Sequence, residues 1–244
     1  MPNKLVTLEG FVISSAKYQE KDALIKLLTR DKVVSIKVRN GFDVASKNHL
    51  AILAFNKVSI DCFEMTSGYL TASGVKTLVN YTSLYEKITP NLVGQLAGEI
   101  VLKCFGEDDI VPYDFYEETL NQLMKGFDPL TLAFIFACQG IKEGITPEIN
   151  ECVNCGKKRN LVSFAYDEGG FLCDECATEA NYPKMDNNYL KVIRYGYLVD
   201  AKQLSRAVLP KGPTLKALED TIKALEEQLG AKIKSYSLMT EAGL

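Results

Sequence analysis

Four cysteines in two short pairs constrain this chain more than any other feature. The stretch reads Cys152-Val-Asn-Cys155-Gly and later Cys173-Asp-Glu-Cys176, with 17 residues between the pairs. Each C-x-x-C pair can set two thiolates on one side of a tight turn, and two such turns can close on one tetrahedral metal. Two disulfides, a redox dithiol or four unrelated core cysteines are the rival readings. The spacing favours a structural zinc held by Cys152, Cys155, Cys173 and Cys176. Four thiolates leave no open position for catalysis, and the one histidine, His49, is remote in sequence. Between the pairs, Val162, Phe164 and Tyr166 alternate up to Asp167-Glu168-Gly169-Gly170, which predicts a hairpin that returns Phe171 and the second pair beside the first.

The other three cysteines, Cys62, Cys104 and Cys138, sit among apolar residues and read as core. The first residues lack the basic-then-apolar layout of a signal peptide, and no apolar run approaches the ~18 residues that span a bilayer. The expectation is a cytoplasmic protein, with no membrane contact and with reduced thiols. Charge is uneven along the chain. Residues 1–80 carry 11 Lys/Arg against 7 Asp/Glu, a net of +4, while residues 81–150 carry 4 against 11, a net of −7. Residues 151–180 hold 3 against 6, and residues 181–244 hold 10 against 7. Such asymmetry suits different surfaces for different partners.

The first 80 residues predict short strands: Val6 to Ser14 with apolar residues on both faces, Ala23 to Thr29, Val33 to Val38, Leu50 to Phe55, Lys57 to Phe63 and Tyr69 to Val79. Turn signals at Lys17–Asp22, Arg30-Asp31-Lys32, Asn56-Lys57 and Thr66-Ser67-Gly68 separate them. Five to six strands without a helical stripe predict a small closed barrel, an OB-fold first and an SH3-like barrel as the alternative. Near Tyr81 the period becomes helical. Helices are expected from about Asn91 to Phe105, from Pro112 to near Gly126, and from an Asp128-Pro129 start to near Gly144. The third is apolar nearly all round and should be central. After the cysteine segment, Tyr189, Val192, Ile193 and Tyr197 form one stripe and Leu215, Leu218, Ile222, Leu225 and Leu229 another. The fold class is therefore α+β and multidomain: a barrel over 1–80, a helical part over 81–148 and 181–244, and a cysteine insert over 149–180.

No catalytic constellation is present, and no Gly-rich phosphate loop. The acidic run Glu107-Asp108-Asp109 could hold a cation, but such runs are usually solvated loops. The barrel carries the stronger functional signal. Lys26, Arg30, Lys32, Lys37, Arg39 and Lys47 lie along its strands and loops, where OB barrels track phosphates; Phe42 and Tyr69 could stack on bases. Lys37 and Arg39 share parity and so are expected on one face of one strand.

The run Gly10-Phe11-Val12-Ile13, then Tyr18-Gln19-Glu20-Lys21-Asp22-Ala23-Leu24-Ile25-Lys26-Leu27-Leu28-Thr29-Arg30, resembles the opening of the bacterial RecO family of DNA repair proteins. Cys152-x-x-Cys155-Gly, Phe164, Gly169-Gly170 and Cys173-x-x-Cys176 match that family's zinc finger, and Leu229 to Ser235 resembles its C-terminal end. The resemblance implies an N-terminal OB-fold, a helical domain and one structural zinc. It also implies a mediator without covalent chemistry, which binds single- and double-stranded DNA, anneals complementary strands, and works with RecR and single-strand-binding protein to load a recombinase. Two positions depart from it. The loop Asn40 to Lys47 carries Asp43 where the family's loop is basic, and Tyr236 stands where an arginine is common. The reading from another class is a zinc-stapled protein-interaction module whose barrel does not touch DNA.

Overall fold

A computed structural model describes residues 5–64, 70–106, 109–143 and 146–243. The expected turn Thr66–Gly68, Tyr69, and Glu107 with Asp108 lie outside the described residues. Five strands, β1 (Leu5–Tyr18), β2 (Asp22–Leu28), β3 (Val33–Val38), β4 (Lys57–Glu64) and β5 (Leu70–Val79), close a barrel in the order β1-β2-β3-β5-β4. Every pairing is antiparallel except β3 with β5. That order, with a helix crossing between β3 and β4, is the OB arrangement rather than the SH3-like one.

β1 explains why both of its faces are apolar. Its first half pairs with β4 and its second half with β2, so it must bend between them. The bend falls at Gly10, where a Cβ would lie 2.2 Å from the Leu28 carbonyl oxygen, and at the bulge between Val12 and Ser14. Val12 faces inward with Ile25, Leu27, Ile36, Ile60 and other residues of the barrel core. Phe11 and Ile13 face outward into the helical core. One strand thereby belongs to two cores.

The expected strand at Leu50–Phe55 is not one. Residues Lys47–Ala51 form a short helix, α1, capped by Ser46, whose Oγ accepts from the Asn48 amide at 3.2 Å. A short apolar run has no period that separates strand from helix, and the decisive signal was the Ser cap before it. Ile52 then seals the barrel end, and Phe55, at φ 78, turns outward against Tyr85 at 5.3 Å.

The helical part contains α2 (Ile88–Cys104), α3 (Tyr113–Met124), α4 (Pro129–Glu143), α6 (Asn187–Leu198), α7 (Lys211–Leu229) and α8 (Lys234–Glu241). Pro90 does not interrupt α2. It occupies the first turn, where its missing N–H has no helical partner to lose, so the helix starts before the expected Asn91. Asp128 caps α4, accepting from the Thr131 amide at 3.0 Å and hydroxyl at 2.6 Å. The run Leu132–Cys138 is buried without a break, and α2, α6 and α7 pack around α4 as the sequence predicts. α7 begins two residues before the expected Pro213, and its buried face includes Ala217 and Thr221 besides the leucine stripe. Among the described residues no helix is long and apolar enough to cross a membrane.

Aromatic and charged contacts join barrel to helices. Phe11 lies 5.2 Å from Tyr113 and 5.4 Å from Tyr116. Beside them Lys57 Nζ meets Glu117 at 2.6 Å, with about a fifth to a quarter of each side chain exposed.

Candidate metal centre and nucleic-acid interface

The cysteine segment folds as the alternation predicts. β6 (Leu161–Ala165) and β7 (Gly170–Cys173) pair as a hairpin, with Phe164 opposite Phe171. Gly169 turns at φ 82, and a Cβ on Gly170 would come within 2.4 Å of the Glu148 carbonyl oxygen, so both glycines are required. The first pair forms a knuckle in which the Gly156 amide donates to the Cys152 carbonyl and the Cys152 amide to the Lys157 carbonyl, both at 2.8 Å. Gly156 takes φ 71 to make that turn. The second pair ends β7 and enters the short helix α5 (Asp174–Glu179). The Val153 amide donates to the Phe171 carbonyl at 2.8 Å and ties the first knuckle to β7.

All four sulfurs lie within 4.8 Å of one another, and Cys155 and Cys173 Sγ are 3.6 Å apart. Metal–sulfur bonds of about 2.3 Å in a tetrahedron require about 3.8 Å between sulfurs. The donor set therefore fits a thiophilic dication in size and in chemistry. The charges agree. Burial opposes ionisation of Cys152, but amides of Cys173, Asn154 and Cys155 aimed at its sulfur outweigh that and bring the thiol down to about 6. Cys176 is pushed the other way, first by its hydrogen bond with Cys155 and then by burial. The Cys152 thiolate forms readily, and Cys155 and Cys176 resist joining it unless a cation supplies the balancing charge.

The hairpin uses its second face for docking. Phe164 and Phe171 enter the main helical core, with Phe164 6.5 Å from Tyr197 and the Arg194 guanidinium 4.9 Å above Phe171. Tyr166 donates to or accepts from Thr221 at 2.7 Å and accepts from the Tyr197 hydroxyl at 3.2 Å. The insert's own core is small: Cys152, Ala165, Leu172, Cys173 and Ala177.

The six cations of the barrel divide into two sets. Lys26 donates to Ser35 at 2.7 Å, Arg30 pairs with Asp114 at 2.9 Å and lies 4.6 Å over Tyr113, and Lys37 pairs with Asp22 at 2.9 Å. Lys32, Arg39 and Lys47 are exposed and make no ion pair among the described residues. β3 ends at Val38, so Arg39 stands in the following turn and does not share a strand face with Lys37. Asn40 beside it takes φ 52. Asp43 pairs with Lys21 at 2.8 Å and accepts from the Ala45 amide at 3.1 Å, so the loop's acid is neutralised within the barrel. Phe42 is about one-third exposed, at 36%. The acidic run contributes little: of its three residues only Asp109 is described, and its carboxylate accepts the Gly106 amide.

Sequence reasoning missed Lys57 and Lys21. Both fell within turn signals, and only the fold shows that Lys57 is bound at the barrel–helix seam and that Lys21 cancels Asp43.

Comparison with known proteins agrees with this geometry. The family model described as "Recombination protein O C terminal" matches residues 86–237. The DNA repair protein RecO of Bacillus subtilis (strain 168) is 26% identical over 244 residues, covering 97% of this chain and 94% of that protein. The protein of the same name from Listeria monocytogenes serotype 4b is 25% identical, covering 96% and 93%. That from Lactobacillus helveticus is 23% identical, covering 74% of each. Among solved structures, asparaginyl-tRNA synthetase from Pyrococcus horikoshii aligns at a TM-score of only 0.28 and 13% identity, over 97% of this chain and 56% of that one, too slight to bear on the fold.

Proposed function

Because this chain belongs to the recombination protein O family of DNA repair proteins, we propose that it is a non-enzymatic recombination mediator. It binds single- and double-stranded DNA through the barrel and anneals complementary strands. With RecR it helps load a recombinase on DNA coated by single-strand-binding protein. The observation that carries this reading is the near full-length match to RecO relatives on a chain whose first 60 described residues begin an OB barrel. Annealing needs no covalent step: cations that hold two backbones offset the repulsion between them without reading bases. Lys32, Arg39 and Lys47 are the cations ready to meet phosphate. Lys26, Arg30 and Lys37 would first have to exchange their present partners.

In this reading residues 1–80 are the DNA-binding unit, 81–148 with 181–244 the helical body, and 149–180 an insert stapled by one structural zinc on Cys152, Cys155, Cys173 and Cys176. The metal's contribution is cross-linking; the side chains of Phe164 and Phe171 fix the insert to the body. The protein works in the cytoplasm, at the nucleoid.

The ties on Lys26, Arg30 and Lys37 favour a second reading, a zinc-stapled interaction module that leaves DNA to its partners. Two complementary oligonucleotides, mixed with the protein in the absence of nucleotide and divalent cation, separate the two. Faster annealing than the spontaneous rate supports the mediator. An unchanged rate, with no oligonucleotide binding at low salt with or without RecR, supports the interaction module.

A further inference from the structure

Among the seven cysteines, Cys155 is the one that is exposed; Cys62, Cys138, Cys152 and Cys173 are buried, and Cys104 and Cys176 are partly so. It stands in an entirely exposed stretch, residues 153–160, on the knuckle that projects from the docked hairpin. Its sulfur lies 3.6 Å from that of Cys173, which belongs to the other pair. An accessible sulfur with a second sulfur in reach is the arrangement that oxidants select.

We infer that Cys155 is a modification site for two-electron oxidants of the peroxide class, and that Cys173 resolves it to a disulfide joining the two knuckles. The inference rests on the metal reading above, which makes all four sulfurs thiolates. The Cys155 thiolate attacks one peroxide oxygen. An S–O bond forms, the O–O bond breaks and hydroxide leaves, so sulfur loses two electrons and peroxide gains them. The Cys173 thiolate then attacks the Cys155 sulfur. The S–S bond forms, the S–O bond breaks, and a second hydroxide departs; two protons from solvent turn both hydroxides to water. In sum, two thiolates and one peroxide give one disulfide.

Cys173 is taken as the resolving partner because its sulfur approaches that of Cys155 to 3.6 Å. The sulfurs must close from 3.6 Å to about 2.05 Å. The bond then spans residues 155 to 173, the closure that the metal otherwise provides. Phe164 and Phe171 remain in the helical core, so the hairpin stays docked while the metal loses two of its four donors. Cys104, the partly exposed cysteine outside the cluster, is a poor competitor because burial pushes its thiol up to about 11.

The test treats the zinc-loaded full chain with hydrogen peroxide in the presence of a chromogenic zinc chelator, then blocks free thiols and maps the peptides without reduction. The expected result is one zinc released per disulfide and a cross-linked peptide pair containing Cys155 and Cys173, both reversed by a phosphine reductant. Cys155→His keeps a metal donor but removes the oxidisable sulfur, and should release zinc at least 10-fold more slowly. A disulfide inside either pair, first oxidation at Cys104, or retained zinc in peroxide excess overturns the inference while leaving the metal reading standing. Fully reduced protein that purifies without zinc sinks the metal reading instead, and the inference falls with it. The wild-type peptide map decides even if Cys155→His fails to load metal.

Discussion

The barrel and the cysteine hairpin are both β structure, and they are held by different means. The barrel closes on itself and buries ten apolar residues in its own core, from Val12 to Cys62, at no more than 2% exposure. The hairpin has two strands, five small buried residues of its own and an exposed knuckle. A two-stranded hairpin is marginal alone. It persists by two attachments: a four-sulfur cluster at one end and the Phe164–Phe171 pair lodged in the helical core on one face. The difference assigns tasks. A barrel that needs no external staple can spend surface cations on a ligand, whereas the hairpin's aromatics hold it in place and its cysteines would do so through the proposed metal.

Metal removal should break the comparison most visibly. Structural zinc contributes about 10 kcal/mol or more to isolated fingers, and the docked aromatics should reduce that figure here. Chelation, or Cys173→Ser, should erase amide protection across 149–180 in hydrogen exchange while β1–β5 keep theirs. Equal loss in the barrel would show that the two regions are one cooperative unit. Phe171→Ala tests the other attachment. Deleting a fully buried ring should cost about 3–5 kcal/mol and release the hairpin even with metal bound, read by denaturant unfolding against zinc content.

A smaller effect belongs to Glu99, which caps α8 by accepting from the Lys234 amide at 3.0 Å, the Ser235 amide at 2.7 Å and the Ser235 hydroxyl at 2.6 Å. Burial raises its pKa, but these donors and Lys103 outweigh it, so the folded carboxyl titrates below its ordinary value of 4.5. Its contribution is then complete above about 4.5 and fades as pH falls through the lowered folded value. Glu99→Gln should cost about 1–3 kcal/mol at neutral pH and flatten the acid limb of the stability curve, with no change in the barrel. A mutant whose acid limb matches the wild type contradicts this. The smallest stability effect is expected at Arg30–Asp114, where about two-thirds of each side chain is exposed; Asp114→Asn should leave the unfolding midpoint nearly unchanged. It should nonetheless free Arg30 and raise affinity for single-stranded DNA, which filter binding at low salt would detect.

Legibility in the sequence followed the same division. The cysteine cluster and its hairpin were readable because thiol spacing, Gly156 and the Gly169-Gly170 turn are local signals, whereas the end of β6 at Ala165 and the helix α5 were not. The barrel's strands were readable as alternation and its closure from their number and brevity, but the strand order was not, since the β3–β5 pairing joins segments more than 30 residues apart. α1 was lost for want of a period in five residues, and Pro90 misled because its position in the first turn is visible only once Lys87 caps the helix. Charge was the least legible feature. A list of six cations cannot say that Lys37 already holds Asp22, or that Lys21 answers Asp43.

The central claim, that the barrel's exposed cations carry DNA while the cysteine hairpin is structural, is tested most directly by salt dependence. Binding of a fluorescent single-stranded oligonucleotide is measured across a salt series for the wild type and for the triple variant Lys32→Gln, Arg39→Gln, Lys47→Gln. Each lost phosphate contact should lower the slope of log affinity against log salt by about 0.7, so the variant's slope should be shallower by about 2, with weaker binding at every salt. An identical slope and affinity would place the DNA elsewhere on the molecule and contradict the account.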